Sequence, residues 1–347
     1  MSTLDFGGRI KTLRLSKSMT QEQLAQRLRV SPQAVSKWEN GVTLPDIQLL
    51  PELSILLGTS IDALFSMTDD KRMERIDNML WDQRFLSREE FETEERFLKD
   101  KCLEPDAQAR ATLLLAELYC KRAREYRELA SPLARKAIGL LPEYDKAAHT
   151  ALFEAEGGVF PDWNDVNHHR TIEFYKDFIA RHPSQRRAYF WLLDLLIADG
   201  RCEEARAYLA KADRLETSYH SDLYRGMILE KEGRLEEAAA CWAGMTEKYP
   251  DTWLSWFARA DRMARRCAYA EAVALYEKAL ALSPRPRFTD PVNAIAQLYE
   301  IQGQYEKAIE FYQKEIEIVR EDWNETQGEA IDEPLRNIAR LKEKMIK

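Results

Sequence analysis

Ser31, Gln33, Ser36, Lys37 and Asn40 place five hydrogen-bonding side chains within ten residues, with no acid among them before Glu39. At helical spacing they share one open face, while Ala34, Val35 and Trp38 turn to the other. Amide, hydroxyl and ammonium groups of this length suit the edges of base pairs. Glutamine pairs bidentately with adenine, and lysine reaches the acceptors of guanine. Pro32 in the same run offers only apolar contact, for instance to a thymine methyl. Gln21 opens the preceding segment, where a helix N-terminus meets a phosphate oxygen.

The surrounding residues define the helices that hold this face. Ile10, Leu13 and Leu15 give a first helix an apolar side. Thr20-Gln-Glu-Gln is a capping box, with Gln23 reaching back to the Thr20 amide, and Leu24, Ala25 and Leu28 line the second helix. Ser31-Pro32 is a helix start, with serine at the cap and proline at the first helical position. Gly41 ends that third helix. A fourth follows Pro45 with Ile47, Leu49, Leu50, Leu53 and Leu56-Leu57. Gly58 ends it, and Ile61, Leu64 and Phe65 close the segment.

This ordered set resembles the Cro/repressor-type (XRE family) helix-turn-helix domain. The likeness rests on Ile10 to Arg14, Thr20 to Ala25, Val30-Ser31, Val35 to Gly41, Pro45, Leu57-Gly58 and Ile61 to Leu64. It implies a lambda-repressor-like DNA-binding domain in which Gln21 contacts a phosphate and buttresses Gln33. Ser31, Gln33 and Lys37 would read bases, and Ser36 and Asn40 would hold the DNA backbone. Trp38 and Glu39 would be structural. Arg29 departs from the glycine usual in the turn, and a left-handed non-glycine residue there costs roughly 1 kcal/mol. Arg29 would add a phosphate contact. Pro32 departs from the polar residue many relatives carry.

Charge separates this segment from the rest. Residues 1–66 carry seven basic and six acidic side chains, whereas the whole chain of 347 residues has a net charge of −8. Only the N-terminal segment is a plausible partner for phosphate. Few glycines and prolines and many Ala, Glu, Leu, Lys and Arg residues predict an all-α protein. No apolar run is long enough to cross a membrane. The N-terminus lacks the pattern of a secretory signal. Five dispersed cysteines read as reduced core thiols of a cytoplasmic protein.

No Gly-rich phosphate loop, nucleophile–base pair or metal-ligand spacing is present, so no catalytic residue, cofactor or metal is expected. His168-His169 reads as a solvated loop or helix start.

The polar stretch Ser66–Arg72 marks a boundary. It gives three parts: residues 1–66, connecting helices over 67–107, and a repeat domain over 108–347. The connecting part carries Ile76, Met79, Leu80, Phe85, Leu86 and Phe91 to Leu98, whose apolar faces suit packing inside the chain, the reading preferred here, or on a partner chain. In the third part Gly200, Gly233 and Gly303 each precede an alanine by five residues (Ala205, Ala238, Ala308). Cys267 and Ala272 take the same places in a fourth copy. The alanines are 33, 34 and 36 residues apart.

This spacing, with Gly-Arg-Leu-Glu-Glu-Ala and Gly-Gln-Tyr-Glu-Lys-Ala, resembles the tetratricopeptide repeat. The match is good over 186–321 and loose over 108–183, and a final helix Pro334–Lys347 is expected to cap the array. The resemblance implies a TPR-like α-solenoid whose first helices line a concave groove. Arg187, Phe190, Asp194, His220, Leu223, Met227, Phe257, Asp261, Arg265, Asn293 and Gln297 fall there, a mixture suited to a peptide or protein ligand.

A reader followed by such repeats resembles the peptide-pheromone receptor regulators of Gram-positive bacteria and phages in architecture. It implies a homodimeric regulator on double-stranded operator DNA. The alternative is an adaptor whose N-terminal domain is only a docking module.

Overall fold

Helix caps and left-handed turns, the features most local in the sequence, punctuate the chain. The computed structural model describes residues 6–59, 61, 64, 69–140, 146–158 and 163–346, and every regular element among them is helical. Phe65 and Val159–Asp162 lie outside the described residues. The chain divides into two compact units, Met1–Glu125 and Tyr126–Lys347.

The first unit opens with α1 (Phe6–Ser16), α2 (Gln21–Arg27), α3 (Pro32–Glu39), a 3-10 turn (Ile47–Leu49) and α4 (Leu50–Leu57). Phe6, Ile10, Leu24, Val35, Trp38, Leu53, Leu57 and Leu64 form their shared core. Three expected core residues are outside it: Leu15 is 56% exposed, Ile47 is 78% exposed and Ile61 is 37% exposed. Leu15 follows Ile10 by five residues, about 140° round the helix at 100° per residue. Ile47 belongs to the 3-10 turn and points off the core.

Next come α5 (Asp69–Asp82), α6 (Arg88–Lys101) and α7 (Gln108–Leu140). Met73, Ile76, Leu80, Leu86 and Leu98 pack with Leu114 and Leu118 of α7, inside the chain as expected, although Phe85 stays exposed. The stretch read as a polar boundary is helical from Asp69, because Asp69 and Asp70 suit the positive end of a helix dipole.

The second unit contains α8 (Lys146–Glu156), α9 (Trp163–Val166) and α10 (His169–Arg181), followed by four helix pairs. The pairs are α11 (Arg186–Ala198) with α12 (Cys202–Leu215), α13 (Tyr219–Lys231) with α14 (Leu235–Lys248), α15 (Trp253–Arg265) with α16 (Tyr269–Leu282), and α17 (Asp290–Ile301) with α18 (Tyr305–Asp322). One turn joins all four pairs. Gly200, Gly233, Cys267 and Gly303 have φ of 74°, 81°, 59° and 70°. The next amide bonds back to a carbonyl five residues earlier, from Arg201 to Leu196, Arg234 to Leu229, Ala268 to Met263 and Gln304 to Tyr299, at 2.8–3.0 Å. Ala205, Ala238, Ala272 and Ala308 are fully buried behind these turns. First helices of successive pairs touch, α11 with α13 and α13 with α15.

Three expectations fail here. Residues 108–140 form one helix of 33 residues, with Pro132 inside it, and no helix pair. The closing helix α19 runs Glu329–Ile346, so Pro334 lies within it rather than at its start, and Gly328 (φ 97°) makes the turn before it. Cys120 and Cys267 are exposed rather than core thiols; the other three are half-buried, and all five are free. The helix start expected at His168-His169 is present: His168 precedes α10, which begins at His169, and its Nδ1 lies 2.5 Å from the Asp199 carboxylate. Among the described residues no helix is long and apolar enough to cross a membrane.

Two glycines in one pair make a test of packing. A Cβ at Gly226 would lie 2.2 Å from the indole nitrogen of the fully buried Trp242, whereas a Cβ at Gly244 meets nothing within 4 Å. Gly226→Ala is expected to destabilise the array by about 1–3 kcal/mol through overpacking. Gly244→Ala should stabilise it by up to about 1 kcal/mol through helix propensity. Urea unfolding of the two variants checks both signs.

Candidate nucleic-acid interface and ligand groove

The candidate reading helix α3 is fixed at both ends. Ser31 Oγ accepts from the Ala34 amide at 3.2 Å, and Pro32 occupies the first turn, as predicted. The α2 capping box is also present: the Gln23 amide donates to Thr20 Oγ1 at 3.2 Å and the Thr20 amide to Gln23 Oε1 at 2.8 Å. Between α2 and α3 Arg29 takes φ 54°, so the chain makes the left-handed turn without glycine, and the Val30 amide donates to the Ala25 carbonyl at 3.0 Å.

Glu39, at the end of α3, is buried and tied to two other helices. Arg14 of α1 donates through Nε to Oε1 at 2.6 Å and through a terminal nitrogen to Oε2 at 3.0 Å, and its other nitrogen donates to the Met19 carbonyl at 2.6 Å. Gln21 of α2 donates to Oε2 at 2.7 Å. Burial pushes the Glu39 carboxyl up, but the bonds from Arg14 and Gln21 outweigh it and hold the group below its ordinary value. The Glu39 hydrogen bond in turn raises the Arg14 pKa. A Cβ at Gly7 would lie 2.3 Å from the Trp38 carbonyl, so glycine lets α1 approach the end of α3.

This network changes one expected role. The Gln21 amide is bonded to Glu39, not to Gln33. Asn40 also has an internal partner, donating to the Ser36 carbonyl at 2.9 Å, and so closes its own helix. Ser31, Pro32, Gln33, Lys37, Arg29 and Asn40 are exposed, and Gln21 and Ser36 are half-buried. The outer face of α3 therefore presents Gln33 and Lys37 on a helix whose other side is locked.

On the repeat array, some expected groove residues come together. Phe190 stacks on His220, with centroids 4.2 Å apart and planes 10° from parallel, and on Tyr224 at 5.6 Å. The Arg186 guanidinium lies over the Phe190 ring, 4.9 Å from its centroid. Burial and the nearby Arg186 push the His220 pKa down to about 4. Phe257 packs on Trp253 and Tyr276, Asp261 accepts from the Tyr276 hydroxyl, and Gln297 donates to Asn293, which donates to Glu315. Burial raises Glu315 to about 7.

Arg187, Asp194 and Arg265 are exposed, while Leu223 and Met227 are half-buried against the core. Tyr224, Arg262 and Glu315 were not singled out from the sequence. Tyr224 and Glu315 are buried, and Arg262 stands beside Asp261, so only the tertiary neighbours reveal them.

Comparisons with known proteins match separate segments of the chain. Residues 10–64 match the helix-turn-helix family model, and residues 172–218, 223–285 and 292–320 match tetratricopeptide repeat models. The first segment is thus a helix-turn-helix domain of the XRE type and the later ones are tetratricopeptide repeats. The HTH-type transcriptional activator BcrR of Enterococcus faecalis is 41% identical over 63 residues, 18% of this chain and 31% of that protein. The prophage-derived HTH-type transcriptional regulator YonR of Bacillus subtilis (strain 168) is 40% identical over 63 residues, 18% of this chain and 58% of its own length.

Solved structures with some likeness include a tetratricopeptide repeat protein from Parabacteroides merdae ATCC 43184, with 16% identity, 78% of this chain and 98% of that one covered, and a TM-score of 0.38. The apo form of the competence regulator ComR from Streptococcus vestibularis has 15% identity, covers 98% and 99% of the two chains, and has a TM-score of 0.25. Scores this low imply nothing about ligand or partner.

Two outcomes follow. Glu39→Gln is expected to destabilise the first four helices by about 3–5 kcal/mol, since it strips a buried arginine of its partner. Hydrogen exchange of the α3 amides reads this. A carboxyl held below its unfolded value of about 4.5 stabilises fully above that pH and loses its effect as pH falls through the lower folded value. The gap between wild type and variant should therefore close in acid.

The second concerns His220, whose ring should titrate by NMR near pH 4 rather than 6.5. Its neutral form contributes stability above pH 6.5 that is lost as pH falls toward 4, and His220→Phe should remove that part of the acid sensitivity.

Proposed function

We propose that the protein is a sequence-specific DNA-binding transcription regulator whose tetratricopeptide repeats sense a peptide, and that it has no catalytic activity. The observation that carries this reading is the free outer face of α3. Gln33 and Lys37 are exposed on a helix held from behind by the Arg14–Glu39–Gln21 network. In a major groove these side chains reach base edges, while Arg29 at the turn faces phosphate. The relatives aligned over this segment are named as HTH-type transcriptional regulators, which supports the reading.

Such readers work in pairs. Two copies bind half-sites about one helical turn, roughly 34–36 Å, apart. The peptide acts through its unequal affinity for two states of the regulator, since a ligand bound equally by both shifts nothing. The first-helix face, with the Phe190–His220–Tyr224 stack and the Phe257–Tyr276 contact, offers aromatic surface beside amides and charges, the mixture an extended peptide uses.

Selection from random duplexes should yield sites bound at least ~10³-fold more tightly than random DNA. Gln33→Ala should then cost about 1–3 kcal/mol on the selected site and relax choice at one base pair. Equal loss on every sequence would show that Gln33 does not read bases. Equal affinity of the wild type for selected and random duplexes would leave the domain a docking module of an adaptor.

A further inference from the structure

The four helix pairs repeat one design, so each position in one pair has a counterpart in the other three. Eleven residues before the left-handed turn residue stand Tyr189, Trp256 and Val292 in three pairs, but Asp222 in the second. Three residues after the buried alanine stand Tyr208, Leu275 and Phe311, but Cys241. Six residues after it stand Lys211, Lys278 and Lys314, but Gly244. Ten residues after it stand Leu215, Leu282 and Ile318, but Lys248. All four departures line the same cavity, about 770 Å³, between α12 and α14 and floored by α13. In the next pair the matching places hold Trp256, Leu275 and Lys278, and the Lys278 ammonium lies 5.7 Å over the Trp256 ring.

Stability gives no reason for these departures. Glycine inside a helix is less favourable than alanine, and a Cβ at Gly244 would meet nothing within 4 Å. Asp222 is 5% exposed and accepts from Arg225 at 2.7 Å and from Lys248 at 2.9 Å. A buried ion pair of this kind is seldom more stable than the apolar pair it replaces. The cavity also opens away from the peptide face. Asp222 is two residues from both His220 and Tyr224, about 200° round α13 at 100° per residue.

We propose that this cavity binds a small amphipathic molecule, with an apolar body over Leu209, Ile228 and Leu229 and a carbonyl end on the Lys248 ammonium. Leu209 and Ile228 are buried, and Leu229 is half-buried, on the floor and one wall. Lys248 has three N–H donors, two of which serve Asp222, and its side chain is 60% exposed. At the other end Arg206 pairs with Glu203 and Arg234 with Glu237, so no charge there calls for a charged ligand. The volume falls within the roughly 300–1,000 Å³ of small-molecule sites. The site does not depend on the peptide-sensing reading.

The test uses the full chain and prodan, a naphthalene ketone whose emission moves to the blue out of water. Dimethylaminonaphthalene, which lacks the carbonyl, is the comparison. The wild type should bind prodan saturably, about tenfold or more tightly than the comparison compound. Gly244→Lys restores the residue of the other three pairs and should weaken both compounds by about tenfold or more, with no fall in melting temperature. Lys278→Gly, the opposite change in the next pair, should leave binding as it was. Lys248→Leu leaves Asp222 paired with Arg225, and should keep the naphthalene but lose the preference for the ketone.

No saturable binding of prodan by the wild type overturns the site. Binding that survives Gly244→Lys puts the probe elsewhere and overturns it as well. A ketone preference that survives Lys248→Leu overturns the polar anchor.

Discussion

The first unit depends on a carboxylate in an unfavourable place. Glu39 stands at the C-terminal end of α3, where the helix dipole disfavours negative charge, and it is buried. It can stay ionised only because Arg14 and Gln21 bring donors from α1 and α2. That requirement fixes three helices against one another. The same arginine also donates to the Met19 carbonyl in the turn between α1 and α2. Since the structural demands on α3 are met from its inner side and its C-terminal end, Gln33 and Lys37 on the outer side have no packing duty. Rigid support behind and freedom in front are what a set of base-reading side chains requires.

In the array the corresponding constraint is a turn. Each pair needs one residue in the left-handed region so that the second helix folds back on the first, and an alanine five residues on lets the two come close. Cys267 shows how strong the demand is. It takes φ 59° without the freedom of glycine, at a cost of roughly 1 kcal/mol, and its neighbours still make the same backbone bond as in the other three turns. Packing of the buried Ala272 behind that turn outweighs the local strain.

The features that could be read from the sequence are those decided within a few residues. The Thr20 and Ser31 caps, the left-handed Arg29 and the four inter-helix turns follow from local backbone chemistry, and all are present. The features that could not be read are choices among distant partners. Gln21 is expected on a phosphate and Gln33, and the need of buried Glu39 for donors gives it a partner that the sequence does not point to. Arg262 looks like any surface arginine until α13 packs beside α15 and brings Glu230 near it. Helix length was also hard to read. Pro132 suggests a break, yet α7 runs through it, because one lost backbone bond is small beside the packing of so long a helix.

Charge sets a last limit on how the proposed regulator can work. The exposed cations of the first four helices are Lys11, Lys17, Arg27, Arg29 and Lys37, and acidic side chains nearly balance the segment. Counterion release scales with the number of phosphates neutralised, so one such domain has weak non-specific affinity. The remainder of the chain is acidic and adds no attraction for DNA. Tight binding must then come from two sources that charge does not supply: base contacts by the α3 face, and the joining of two readers on one duplex. The second makes affinity depend steeply on whether the pair can span both half-sites at once. A ligand on the repeats that altered the pairing of two readers would therefore act on the term that contributes most to affinity.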